Sequence, residues 1–396
     1  MKTLEEERIE AVRRYLSGEL VVSICKDLKR SKPWLYKWVN RYDPTVHEWG
    51  KDLSRAPHKV ANKTPPEVEN IVLRLRDRLK NENLFYGPLA IQWSIEDLGY
   101  KNVPHINTIK QILKRHNKIE PRRSNDRYKA KSIPYPKIES NGEPNVLHET
   151  DFLGPRYLKG GFRFYSLNIM DVGTHRVALN ISKNQCDYTV VNALLSSWQK
   201  LGIPRYLQMD NQLPFTGSNR YPRAFGSVIR LCLYLGVEPV FIPIREPWRN
   251  GHIEQFHRTY KKMFLTKYYF DNPDELLHSS NDFESRHNEK YKYSCLRGKT
   301  PIQVLLNSSC NIKRLSEDFH IPDLKERPRQ GYVHLVRFVR SNRVISIFGE
   351  KFTVSEEAVY QYVKATIDVK EQKLSFFLND KVIDKVEYTY DKGKEN

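Results

Sequence analysis

No stretch of this chain approaches the roughly 18 consecutive apolar residues of a membrane-spanning helix, so none is expected. The opening MKTLEEERIEAVRRYL is charged and amphipathic, unlike a secretory leader, and the expectation is a soluble, intracellular protein. Cysteine is scarce. Cys25, Cys186, Cys232, Cys295 and Cys310 are scattered, with no CxxC and no paired Cys/His spacing. That excludes a zinc-held fold and leaves reduced thiols expected mostly in the core. Acid is also in short supply: 47 Asp and Glu against 66 Lys and Arg leave +19. This excess favours a polyanionic partner such as nucleic acid, with an anionic membrane surface as the weaker alternative.

What is present suffices for folded cores. Hydrophobic residues make up 39% and aromatics 12% of the 396 residues, which argues against global disorder and predicts roughly two to four domains. From Arg8 to Tyr42 the pattern RIEAVRRYLSG, VVSICKDLK, SKPWLYKWVNRY predicts three helices in a helix-turn-helix arrangement. Ile9, Val12 and Leu16 share a helical face, and Ile24 with Leu28 and Leu35 with Val39 repeat the four-residue spacing. Ser31 suits an N-cap, and Lys32, Tyr36, Lys37 and Arg41 stay outside the apolar stripe, fit for a major groove.

A second trihelical unit is expected at PPEVENIVLRLRDRLKN, GPLAIQWSIEDLG and HINTIKQILKRHN, with Ile71, Leu75 and Leu79 in register and Gly99 as a stop. Tandem modules would raise affinity for a long DNA site through effective concentration. Between Lys114 and Lys137 nine basic residues, among them Arg122, Arg123 and Arg127, face only Glu120 and Asp126. Pro121, Pro134 and Pro136 make much of this run an extended linker suited to a phosphate backbone.

From Asn145 the character changes. NVLHETDFLG and RFYSLNIMDVGTHRVALNIS read as strands, DYTVVNALLSSWQKLG as a helix capped by Asp187, and RYLQMD as a short strand ending on Asp210. AFGSVIRLCLYLG is a further helix, VEPVFIPI a strand, and a helix beginning near Gly251 carries Glu254. Beyond Asp323 the runs YVHLVRFVR, RVISIFG, KFTV, YVKATIDV, KLSFFL and KVIDKVEYTY predict a small β-barrel.

Asp151 on a first strand, Asp210 at the end of a neighbouring strand and Glu254 on a helix packed over them can meet. Three such carboxylates suffice for a hard divalent ion pair, which takes oxygen ligands, water and substrate phosphate. Asp171 reads as a turn residue, and Asn211 as an amide that orients its neighbour Asp210. His257, Arg258, Lys261 and Lys262 follow Glu254 at helical offsets, on the side where DNA phosphates would lie.

HETDF, LQMDNQLPF and PWRNGHIEQFHRTYKKMF together resemble the DDE transposase and retroviral-type integrase family. His148 stands where many relatives carry Trp and Gln212 where Gly often follows Asp-Asn. The 43 residues between Asp210 and Glu254 exceed the familiar gap, with the surplus at PFTGSNRYPRAF, a candidate longer active-site loop touching DNA. The resemblance, which covers about Asn145 to Pro301, implies an RNase H-like core with Asp151, Asp210 and Glu254 as its catalytic, metal-binding triad. It implies Mg²⁺ (or Mn²⁺) as cofactor, double-stranded DNA (transposon ends and target) as partner, and catalysis by a homo-oligomer on DNA.

The fold class expected is multidomain α/β: a helix-turn-helix domain at 1–53, a second at 64–118, a basic linker at 119–144, the RNase H-like core at 145–300, a connection at 301–330 and the barrel at 331–390. The expected activity is that of a DNA transposase in the cytoplasm, at the nucleoid of a bacterial host. It would bind terminal inverted repeats, hydrolyse the phosphodiester at the transposon end and join the 3′-OH to target DNA. Its rivals are a domesticated DNA-binding regulator that does not cut and an RNase H-like nuclease that does not join.

Overall fold

A computed structural model describes residues 3–46, 48–53, 64–119, 133–218, 223–316, 318–321 and 323–389, which fall into two compact units, Met1–Pro65 and Pro66–Asn396. The first contains α1 (Leu4–Leu16), α2 (Val21–Asp27) and α3 (Lys32–Val39). Helix α1 begins before the expected Arg8, because the Thr3 hydroxyl accepts from the Glu6 amide and the Glu6 carboxylate accepts from the Thr3 amide. Its inner face also differs from the expected one. Ala11 and Val12 are buried, whereas Ile9 and Leu16 are 43% and 57% exposed. Arg8 occupies the inner position instead, its guanidinium 4.2 Å from the Trp38 ring centroid and donating to the Gly50 carbonyl at 2.8 Å and the Asp52 carboxylate at 3.0 Å. Ser31 caps α3 as expected, accepting from the Trp34 amide.

The second unit opens with α4 (Pro66–Asn81), α5 (Pro88–Asp97) and α6 (Ile106–Arg115), close to their expected bounds. Acids in the first turn of α4 and bases in its last complement the helix dipole. Val72, Leu75, Ile91 and Ile109 join one apolar cluster with Phe256, Tyr260 and Phe283. The Tyr291 hydroxyl donates to the Asn83 carbonyl at 2.7 Å, and Lys292 pairs with Asp97 at 2.5 Å. The second trihelical unit therefore belongs to the same compact body as the core.

The core strands are β1 (Leu147–Tyr157), β2 (Arg163–Asp171), β3 (Val177–Ser182), β4 (Tyr206–Met209) and β5 (Glu238–Phe241), with helices α7 (Asp187–Leu201), α8 (Leu213–Thr216) and α9 (Ser227–Leu235) between them. Helices α10 (Gly251–Tyr260), α11 (Pro273–Lys290) and α12 (Pro301–Leu306) follow. A π-helical turn, Lys261–Leu265, continues α10. Strands β1, β2 and β3 form an antiparallel meander, while β4 and β5 add parallel to β1. Two-residue alternation sorts the side chains: Phe152, Tyr165, Leu167 and Ile169 pack with α7 and α9, whereas Leu153, Phe164 and Met170 pack with α10 and α11. Asp187 is the first residue of α7, not its cap; it accepts from the Ser227 hydroxyl at 2.8 Å.

The C-terminal strands lie where expected but do not form a separate barrel. Strands β6 (Tyr332–Phe338), β9 (Tyr362–Asp368), β10 (Lys373–Leu378) and β11 (Lys381–Glu387) extend the core sheet, giving the order β11-β10-β9-β6-β5-β4-β1-β2-β3. The junction is short and parallel, Val240 with His334 and Phe241 with Leu335. The hairpin β7 (Val344–Ile347) and β8 (Glu350–Thr353) covers this half, its Ile345 and Ile347 clustering with Leu335 and Phe376. The expectation of core thiols also fails in part: Cys232 is buried and Cys25 half-buried, but Cys186, Cys295 and Cys310 are exposed.

Candidate active site

Asp151 stands mid-strand on β1, and alternation turns it to the same face as Glu149 and Leu153, toward α10. Glu149 pairs with Gln208 across β1 and β4, so Asp210, two residues beyond Gln208, continues the line beside Asp151. Helix α10 is fastened over this point by groups absent from the sequence-based site. The buried Glu149 carboxylate accepts from the His252 amide at 3.0 Å, the Ile253 amide at 2.9 Å and His252 Nδ1 at 2.7 Å. Asn250 donates to the Thr150 carbonyl at 3.1 Å and accepts from Gln208 Nε2 at 2.9 Å. Glu254 therefore lies in the first turn of a helix whose start is bonded to both acid-bearing strands. The signals were present, since Glu149 lies inside HETDF and Asn250 inside RNG, but neither spacing reveals a partner about a hundred residues away.

The electrostatics separate these acids. Glu149 holds His252 above its ordinary pKa. Asp151 is pushed up to about 7, first by burial and then by the Asp210 charge; Glu254 adds to the rise, while the Phe152 amide and Lys261 oppose it. Burial also raises Asp210, against the 2.9 Å hydrogen bond from the Gln212 amide to its Oδ1. Asp151 is thus repelled by two other carboxylates at a half-buried spot, the situation in which a bound cation lowers the free energy most. Among the described residues no three His, Cys, Asp or Glu side chains already converge as ligands for one ion. The all-carboxylate donor set nonetheless fits a hard divalent ion.

Several expected roles change. Asn211 does not bond to Asp210: its amide donates to the Ile242 carbonyl at 2.6 Å and accepts from Arg337 Nη2 at 2.8 Å. Arg337, on β6, is itself buried, donates to the carbonyls of Ile242, Val336 and Ser346, and is pushed down to about 10 by that burial. His257, expected at phosphate, is buried with Nδ1 3.6 Å from Asp151 Oδ2. Burial, with Lys261 nearby, lowers it to about 3, so this contact is no ion pair, and its Nε2 has no hydrogen-bond partner. Arg258, Lys261 and Lys262 are exposed beyond Glu254, and Lys32, Tyr36 and Lys37 are exposed on α3. Arg41 is half-buried, 5.0 Å from the Trp38 ring centroid. Arg122, Arg123 and Arg127 lie outside the described residues. Asp171 is the turn residue expected, accepting from the Asn145 and Gly173 amides and the Thr174 hydroxyl. His148 is a core residue, bonded to Asn145 at 2.9 Å.

The loop before α10 and the surplus segment are both tied to the C-terminal strands. Arg249 contacts the rings of both Tyr135 and Tyr362, 4.0 and 4.8 Å from their centroids, and donates to Glu246, which also accepts from the Tyr362 hydroxyl. Arg223 binds Glu350 and Thr389 instead of pointing free toward DNA. Gly217 and Gly226 meet at the base of the surplus segment: a Cβ on either would lie 2.7 Å from the other's Cα, and Gly217 has φ +81°.

Comparison with known proteins places family matches on both units. Residues 2–44 match the homeodomain-like domain family, and residues 235–301, which include β5, α10 with Glu254 and α11, match the integrase core domain family. Similar solved structures include the HTLV-2 integrase catalytic core domain in complex with magnesium (19% identity, 41% of this chain and 96% of that one, TM-score 0.33). A chain of the simian T-cell lymphotropic virus intasome in complex with PP2A regulatory subunit B56 gamma aligns at 14% identity over 80% of this chain and 96% of that one, TM-score 0.39. The BIV integrase catalytic core domain aligns at 18% identity over 41% and 94%, TM-score 0.31.

Proposed function

We propose that this chain, with its homeodomain-like start and integrase core segment, is a DNA transposase of the DDE transposase and retroviral-type integrase superfamily. The observation that carries the reading is the crowding at Asp151: in a chain of charge +19, the charges of Asp210 and Glu254 help hold this half-buried acid near pKa 7. Asp151 and Asp210 would hold Mg²⁺ or Mn²⁺, with Glu254 completing the set. Such ions, when bound, neutralise charge on the scissile phosphate and make water a better nucleophile.

The remaining work belongs to the protein. Glu149, Gln208 and Asn250 hold the first turn of α10 against β1 and β4, which positions Glu254. Arg337 holds Asn211, and through it the loop that carries Asp210. Neutral His257 closes the buried side of Asp151. Arg258, Lys261 and Lys262 take phosphates of the reacting strand, Arg122, Arg123 and Arg127 those of the flanking duplex, and Lys32, Tyr36, Lys37 and Arg41 read the transposon end. No side-chain nucleophile is needed. Water attacks phosphorus, the P–O3′ bond breaks, and the transposon end leaves with a 3′-OH. That hydroxyl then attacks a target phosphodiester, forming one P–O bond as the target's P–O3′ bond breaks.

The test is cleavage and joining of the element's own ends by a DNA-assembled homo-oligomer, with Mg²⁺, Mn²⁺ or chelator. Metal-dependent nicking followed by joined product is expected. Binding without cutting would establish a regulator, and cutting without joining a nuclease.

A further inference from the structure

A second site lies further along β1. Past the π-helical turn, residues 265–270 fold against the end of β1 and enclose a cavity of about 280 Å³. Its floor is apolar and buried: Leu158, Phe164, Leu265 and Phe270. Its rim is aromatic and open, with Tyr269 89%, Tyr157 64% and Tyr268 43% exposed. Arg156 and Lys159 complete the lining. The one ion pair shown for Lys159 is loose, 3.7 Å to Asp271, with both side chains largely in water.

Basic residues also lie along the segment that leads to the cavity. Lys261 acts electrostatically on Asp151. Burial, then Lys262 and Lys80, lower the pKa of Lys267. Lys261, Lys262 and Lys267 are exposed on the segment that leads from α10 to the cavity. From Asp151 to Tyr157 along β1 is six residues, about 20 Å at 3.3 Å per residue.

An apolar floor, exposed phenol rings and the basic side chains of Arg156 and Lys159 in the lining match one ligand chemistry. A nucleobase stacks on the rings while its flanking phosphates meet the cations. A paired base shows no face, so the occupant must be unpaired; the volume is close to the smallest ligand pockets, about 300 Å³, and suits one base. We propose that this cavity receives a single unpaired base of the bound DNA, stacked by Tyr157 and Tyr269 with its phosphates on Arg156 and Lys159. The site rests on the DNA-processing reading and deepens it: at about 3.4 Å per nucleotide, the captured base stands some six nucleotides from the scissile phosphate.

The experiment uses the full chain and end DNA whose last nucleotides are frayed into single strands, with an abasic position moved along each strand. Wild-type affinity should fall about tenfold when the abasic position coincides with the captured base, and little elsewhere. Tyr157→Ala combined with Tyr269→Ala should weaken binding of intact frayed DNA by a similar factor. It should add nothing on the matching abasic DNA and leave the salt dependence unchanged, because no charge is removed. Tyr157→Phe with Tyr269→Phe should retain affinity and control for folding. At the same position, 5-iodouracil should photocrosslink to Tyr157 or Tyr269. Equal weakening on intact and abasic DNA, or no weakening, overturns the cavity alone while cleavage persists. Failure of the wild type to bind end DNA overturns the cavity and the transposase reading together.

Discussion

The two halves of the nine-stranded sheet treat buried charge in opposite ways. On the β6 side, Arg337 is buried and its donors find acceptors on Asn211, Ile242, Val336 and Ser346. On the β1 side, Glu149 is satisfied to the same degree, but Asp151, two residues on, is left among like charges beside a neutral histidine. The difference separates scaffold from site. A buried charge with its hydrogen bonds met holds elements together, whereas one left unmet costs stability and is kept where a ligand completes it.

Four substitutions or conditions would break or sharpen that contrast. The largest effect is expected for Asp210→Asn or Asp151→Asn: end cleavage should fall about a thousandfold or more with end binding nearly intact, read in parallel cleavage and gel-shift assays. Loss of binding by a folded variant would contradict the assignment. Glu149→Gln should instead act on the fold, since buried donors lose their shared acceptor. It should cost about 3 kcal/mol in urea unfolding, with activity lost in proportion to helix docking.

Arg337→Met should lower kcat for cleavage about tenfold at nearly unchanged KM for DNA, because it frees the Asn211 loop without removing a phosphate contact. Arg337→Lys should restore part of the loss, and a kcat unchanged in Arg337→Met would return the residue to the scaffold. The smallest effect concerns pH. With Asp151 near pKa 7 when folded and at the ordinary carboxylate value when unfolded, the unfolded chain releases its proton first as pH rises. Metal-free stability should therefore fall by about 1 kcal/mol between pH 6 and 8, and Mg²⁺ should raise Tm more at pH 8 than at pH 6. Both trends should disappear in Asp151→Asn.

Much of this architecture was legible locally. The helix and strand periodicities of 66–115 and 332–387, and the flanks of Asp151, Asp210 and Glu254, are short-range patterns, and they locate the elements within a few residues. What was not legible depends on pairing across distance. Nothing in YVHLVRFVR says that its partner is β5, so the C-terminal strands read as a barrel instead of the far half of one sheet. Arg8 looks like a surface residue until Trp38 and Asp52 cover it, and His257 shares the face of Glu254 only to be turned inward onto Asp151. Asn211 and Glu149 exchange their apparent importance for the same reason: a polar residue's role is set by which backbone reaches it.

The meeting of Gly217 and Gly226 gives the long interval between Asp210 and Glu254 a different meaning. Because the chain at Gly226 comes back to Gly217, the length of chain between the two glycines does not enter the distance separating the acids. Lengthening such a closed excursion costs only about 0.6 kcal/mol per doubling. A change of chain length between the two glycines is therefore expected to leave the separation of the two carboxylates as it is.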